Sequence, residues 1–196
     1  DGLRAIAVLA VIFYHLNISN FFSGGFLGVD IFFTLSGFLI TSLLLREQAK
    51  NKTIDLKLFY INRMKRLLPA MLGMIVVCSV LVLFVAQDAA SQLRKDIPAA
   101  LLYYSNWWQI VSEQSYFEMM NRPPLLQHLW SLAIEEQFYF FWPLVLLVMV
   151  RYGGTKGVLW MASAFALITS SYMFVLAVRH SIPFEADPNR LYLGTD

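Results

Sequence analysis

The chain has 196 residues, of which 58% are apolar and only 14% charged, with a formal net charge of +2. A soluble domain sits nearer about 45–50% apolar and about 25% charged, so an ordinary water-facing globule is excluded and a membrane protein is the class to test. The single cysteine, Cys78, lies in an apolar run and leaves no disulfide framework and no cysteine-based metal site.

A helix needs about 20 apolar residues to cross a hydrocarbon core. Segment 3–16 is short but bare of charge after Arg4, and segment 26–45 carries one charge, Asp30, near its start. Segments 67–86 and 158–178 carry none, while 129–150 is interrupted by Glu135 and Glu136. Between 67–86 and 129–150 lies 97–111, IPAALLYYSNWWQIV, whose Tyr and Trp content reads as a short or interfacial helix. The pattern predicts an all-α, polytopic transmembrane bundle. Neither end carries a start or stop signal of its own, and the chain reads as a fragment cut at both ends.

Orientation follows from lysine and arginine. Segment 46–66 holds seven of them, Arg46, Lys50, Lys52, Lys57, Arg63, Lys65 and Arg66, whereas 17–25 holds none. The first is therefore expected in the cytoplasm and the second outside. Segment 87–128 is expected mostly outside, with 129–150 returning to Arg151 and Lys156.

Ionisable groups within a bilayer are costly and mark functional candidates. Arg4 and His15 are eleven residues apart on the first helix, which places them on one face and ~16 Å apart along the axis. Asp30 on the second helix and Glu135 and Glu136 on the returning one are expected at the depth of His15, in the outer half of the membrane. A histidine within reach of carboxylates suits a general base, because the carboxylate orients the ring and stabilises the imidazolium. The plainer alternative makes Arg4 an interfacial anchor and bonds His15 to a neighbouring carbonyl. Arg63 and Arg66, spaced i, i+3, suit a phosphate or pyrophosphate ligand, or else anionic headgroups. Gly25, Gly28, Ser36 and Gly37 read as close helix packing. No metal-ligand cluster, phosphate loop or nucleic-acid pattern is present.

DGLRAIAVLAVIFYH at 1–15, GVDIFFTLSGFLIT at 28–41, FYINRMKRLLPA at 59–70, HLWSLAIEEQFYFFWP at 128–143 and NRLYLGTD at 189–196 occur in this order. Together they resemble the acyltransferase-3 family of membrane acyltransferases, and 106–139 is similar to the bacterial peptidoglycan O-acetyltransferases. The resemblance implies that 1–196 is the N-terminal half of a roughly ten-helix acyltransferase domain in a bacterial cytoplasmic membrane, with any SGNH-type domain lying beyond it. It further implies an O-acetyltransferase that moves an acetyl group from acetyl-CoA, a substrate and not a permanently bound cofactor, to a hydroxyl of an extracytoplasmic glycan such as peptidoglycan. Arg4 and His15 take the catalytic-motif role, Glu135 supports them, and Arg63 and Arg66 lie near the CoA phosphates. Glu136 and Asp30 rank as supporting residues. Tyr116 and Tyr139 are candidates for an acyl relay, or else interface anchors. The competing expectation is a proton-coupled transporter or an acyl-translocating subunit without transferase chemistry of its own.

Overall fold

The computed structural model describes residues 2–16, 24–112 and 125–180, and every regular element among them is helical. Gly25–Asn51, Leu56–Val85 and Leu129–Val175 are long and apolar enough to cross a membrane, and Gly2–His15 is a shorter apolar helix. Phe84, Val85 and Trp160 stand 81%, 76% and 77% exposed, a surface that suits lipid and not water. These features make the chain part of a multi-pass, all-α membrane protein. It divides into two compact units, Asp1–Ile54 and Asp55–Asp196.

The first unit is a helical hairpin of α1 (Gly2–His15) and α2 (Gly28–Asn51), the latter entered through a 3-10 turn at Gly25–Leu27. Small residues set the contact. A Cβ at Gly25 would fall on the Ala10 carbonyl and the Tyr14 side chain, and one at Gly28 on the Ala7 carbonyl and Val11. Further along, the Arg4 guanidinium lies over the Phe32 ring. As α2 advances through residues 25, 28 and 32, its partners on α1 step back, so the two helices are antiparallel. The helix runs past residue 45 because Arg-Glu-Gln-Ala-Lys are strong helix formers in any solvent. It ends where Lys52 turns left-handed and its N–H closes on the Gln48 carbonyl.

The second unit opens with α3 (Leu56–Val85), capped by the Asp55 carboxylate, which accepts from the Leu58 N–H at 2.9 Å. The chain then reverses into α4 (Ala90–Leu101), breaks, and continues as α5 (Ser105–Val111). Segment 97–111 is thus two helices and not one. The break falls at Tyr103, whose φ of 54° is left-handed and unfavourable for a bulky side chain. Leu93 and Ala100 of α4 join Met71, Ile75 and Val82 of α3 in one apolar cluster, so α4 runs back alongside α3.

The last helix, α6 (Leu129–His180), joins the two expected spans 129–150 and 158–178 without a loop, bending at Gly154. Three contacts fix its register on α3: His128 Nε2 to Met74 Sδ at 3.3 Å, Arg63 to Glu136, and the Tyr60 hydroxyl to the Phe140 carbonyl at 2.7 Å. The helices are antiparallel, and α6 begins beside the middle of α3.

This register corrects the depths expected from hydropathy. Glu135 and Glu136 were placed in the outer half and Arg63 at the cytoplasmic boundary, yet Glu136 and Arg63 meet at one level. Before α6, helices α4 and α5 pack beside α3 and α6.

Candidate active site

In the first unit, Arg4 is half-buried on α1, and its Nε is buried without a hydrogen-bond partner. Its guanidinium carbon lies 5.7 Å from the centroid of the Phe32 ring, within cation–π range. His15, at the other end of α1, is exposed, and its Nδ1 lies 2.9 Å from the Val11 carbonyl. A carbonyl only accepts, so Nδ1 is the donor in this bond, which is the contact the neighbouring-carbonyl alternative describes. The hairpin register sets Asp30 opposite the stretch between Arg4 and Ala7, ~12 Å or more along the axis from His15.

In the second unit, four sequence candidates come together although they span 63–139. Glu136 Oε1 accepts from Arg63 Nε at 2.9 Å and from Arg63 Nη2 at 2.7 Å. The two side chains are 17% and 14% exposed, so the pair is largely withdrawn from solvent. The Arg63 guanidinium carbon stacks 3.1 Å from the centroid of the Tyr139 ring, and the Tyr139 hydroxyl donates to Glu135 Oε1 at 2.5 Å. Tyr139 is 3% exposed, which excludes the interface-anchor reading for it. Arg66, one turn beyond Arg63, is exposed. Tyr116 lies outside the described residues.

Next to this cluster is a polar array that the sequence reading passed over. Gln137 Nε2 donates to the Tyr103 carbonyl at 2.7 Å and to Asn106 Oδ1 at 3.0 Å, and Asn106 is fully buried. Its signal was in the sequence: amide side chains in apolar segments must find partners in lipid. Among the described residues, no group of three or more His, Cys, Asp or Glu side chains could hold a metal ion.

The described residues form membrane helices with a histidine at the end of the first and a shielded Arg–Glu–Tyr cluster between two later ones. The chain belongs to the acyltransferase-3 family, matching its acyltransferase domain over residues 1–186. It is 47% identical over 197 residues to "Peptidoglycan O-acetyltransferase OatA" of Listeria monocytogenes, covering 100% of this chain and 31% of that protein. It is 45% identical over 201 residues to "Putative O-acetyltransferase SACOL0978" of Staphylococcus aureus, covering 100% of this chain and 32% of the other. With "Putative peptidoglycan O-acetyltransferase YrhL" of Bacillus subtilis it shares 44% identity over 198 residues, again 100% of this chain and 30% of the relative. The chain therefore spans about a third of the length of these curated relatives. No solved structure matches it.

Proposed function

We propose that the full-length protein is an O-acetyltransferase that carries an acetyl group from cytoplasmic acetyl-CoA to a hydroxyl of extracytoplasmic peptidoglycan. The observation that carries this reading is the match of the whole chain, at 47% identity, to a protein named for that reaction. The geometry supplies matching chemistry. His15 Nε2 takes the proton of the attacking hydroxyl while the Val11 carbonyl holds Nδ1–H. The hydroxyl oxygen bonds to the acetyl carbonyl carbon, the carbon–sulfur bond breaks, and the thiolate of CoA leaves and is protonated. Arg4 offers a buried, unmatched Nε–H to an anionic or carbonyl oxygen of the substrate. With Arg63 held by Glu136, Arg66 is the arginine that meets the donor's phosphates. The cationic segment 46–66 supports placing that end in the cytoplasm.

The test uses the full-length protein in membrane vesicles with labelled acetyl-CoA on the cytoplasmic face. Wild type should pass label to glycan. His15→Ala should lower transfer at least about 100-fold while acetyl-CoA still binds, and Arg66→Ala should raise the KM for acetyl-CoA. Label that never leaves acetyl-CoA, together with solute uptake driven by a proton gradient, would establish a transporter instead.

A further inference from the structure

Tyr103, at the break between α4 and α5, has a left-handed backbone with φ 54°, which a bulky side chain keeps only where its surroundings hold it there. Three contacts do so. Its N–H donates to the Ala100 carbonyl at 3.2 Å, its carbonyl accepts from Gln137 Nε2, and its ring packs on the apolar cluster of Met71 and Ile75. Strain of this kind collects at functional positions. The hydroxyl is the part of the side chain that the fold does not use. Among the described residues it makes no hydrogen bond, the residue is only half-buried, and the charges of Glu136 and Arg63 both act on it.

The ion pair also has atoms to spare. Arg63 bonds through Nε and Nη2, and both meet Glu136 Oε1, so Arg63 Nη1 and Glu136 Oε2 stay outside the pair. Neither makes another hydrogen bond among the described residues, and the two side chains keep 17% and 14% of their surface exposed. A hydroxyl, a guanidinium N–H and a carboxylate oxygen are thus neighbours where α3, α6 and the α4–α5 break meet. Glu135, joined to Tyr139, brings a second carboxylate to a cluster with one arginine. Two carboxylates against one guanidinium disfavour an anion, and a cation would have to face the guanidinium. A neutral group that carries both a donor and an acceptor fits, and a secondary amide is such a group.

We propose that Tyr103, Arg63 and Glu136 form a binding site for a secondary amide of a substrate. The amide carbonyl accepts from the Tyr103 hydroxyl and Arg63 Nη1, and the amide N–H donates to Glu136 Oε2. The inference rests on the O-acetyltransferase reading, which offers two sources of that group, the arm of acetyl-CoA and the acetamido groups of peptidoglycan sugars. It adds Tyr103, which lies in none of the five family-like motifs, to the residues that meet substrate.

The experiment measures kcat and KM for labelled acetyl-CoA and for a soluble peptidoglycan fragment, with the full-length protein in vesicles. Tyr103→Phe keeps the ring and the backbone and removes a hydroxyl that bonds to nothing among the described residues, so the melting temperature should not change. One KM should rise about three- to ten-fold while kcat at saturation stays near wild type. A rise in the acetyl-CoA KM identifies the donor's arm as the occupant, and an acetyl thioester without amides should then react equally with both proteins. A rise in the glycan KM identifies the acetamido group. Both KM values unchanged would overturn the proposal, as would an equal loss on acetyl-CoA and on the amide-free thioester with an unchanged glycan KM. A wild type that transfers no label removes the enzymatic reading itself, an outcome distinct from a normal wild type beside an unaffected variant.

Discussion

Arg63 and Glu136, 73 residues apart in sequence, form a two-bond ion pair on a single carboxylate oxygen, with the Tyr139 ring stacked against the guanidinium. The pair ties α3 to α6 and withdraws one of the two arginines expected to bind phosphate. Removing either partner strands a charge that is mostly shielded from water. Arg63→Ala and Glu136→Ala should each destabilise the protein in detergent by about 2–4 kcal/mol. The double variant should fall short of their sum by about 1–3 kcal/mol, read from a thermal-melting cycle. Additive losses would mean that the two charges act independently.

Gly28, the first residue of α2, packs against the backbone of α1 at mid-length. A Cβ there would lie 2.5 Å from the Ala7 carbonyl oxygen, which cannot swing aside as a side chain could. Gly28→Ala should therefore cost about 1–3 kcal/mol by prising the hairpin apart. Gly73→Ala on α3 meets nothing within 4 Å and should be neutral or gain up to ~1 kcal/mol from helix propensity. Equal effects of the two substitutions on melting temperature would contradict this packing.

Gln137 braces the break between α4 and α5 by donating to both the Tyr103 carbonyl and Asn106. Gln137→Leu removes one hydrogen bond from each of two acceptors and should cost about 2–4 kcal/mol, at about 1–2 for each. Amide hydrogen exchange should quicken across α5 well before it does in α3. Uniform exchange over both helices would argue against a local latch.

Gly154 sits at φ 60° and ψ −163°, a backbone region open essentially to glycine alone. There is free space around it, so the restriction is conformational and not steric crowding by neighbours. Gly154→Ala should cost about 1–3 kcal/mol, whereas Gly153→Ala, in ordinary helical backbone with nothing within 4 Å, should be close to neutral. The comparison is read from melting temperatures of the two variants beside wild type.

Much of the fold is legible in the residues, because hydropathy and helix length act locally. The apolar runs in 26–45, 129–150 and 158–178 fall inside helices, as does 67–86 but for its last residue, and Gly25 and Gly28 do mark a close helix contact. What could not be read is whatever depends on partners far apart in the chain. Nothing near Arg63 announces Glu136, and nothing near Tyr103 announces Gln137. The single break at Tyr103 was hidden because Leu, Tyr and Trp continue through it with no glycine or proline at the turn itself. Depth was misread for the same reason: a short, mixed segment such as 90–111 has no hydropathy signature that separates lying on the surface from packing beside a span. Of the candidate site, the residue types were visible in sequence, but only tertiary packing decides that Glu136 and not Glu135 holds Arg63.

The position of Gln137 has a consequence for how the protein is made. Residues 90–111 leave the ribosome before α6, and α4 and α5 are each too short to cross a bilayer unaided. Until residue 137 emerges, the Tyr103 carbonyl and Asn106 Oδ1 lack the bonds that Gln137 makes to them in the finished structure. The break between α4 and α5 therefore settles into place after the helix that follows it, so insertion of this part of the chain does not proceed strictly from the N-terminus onward.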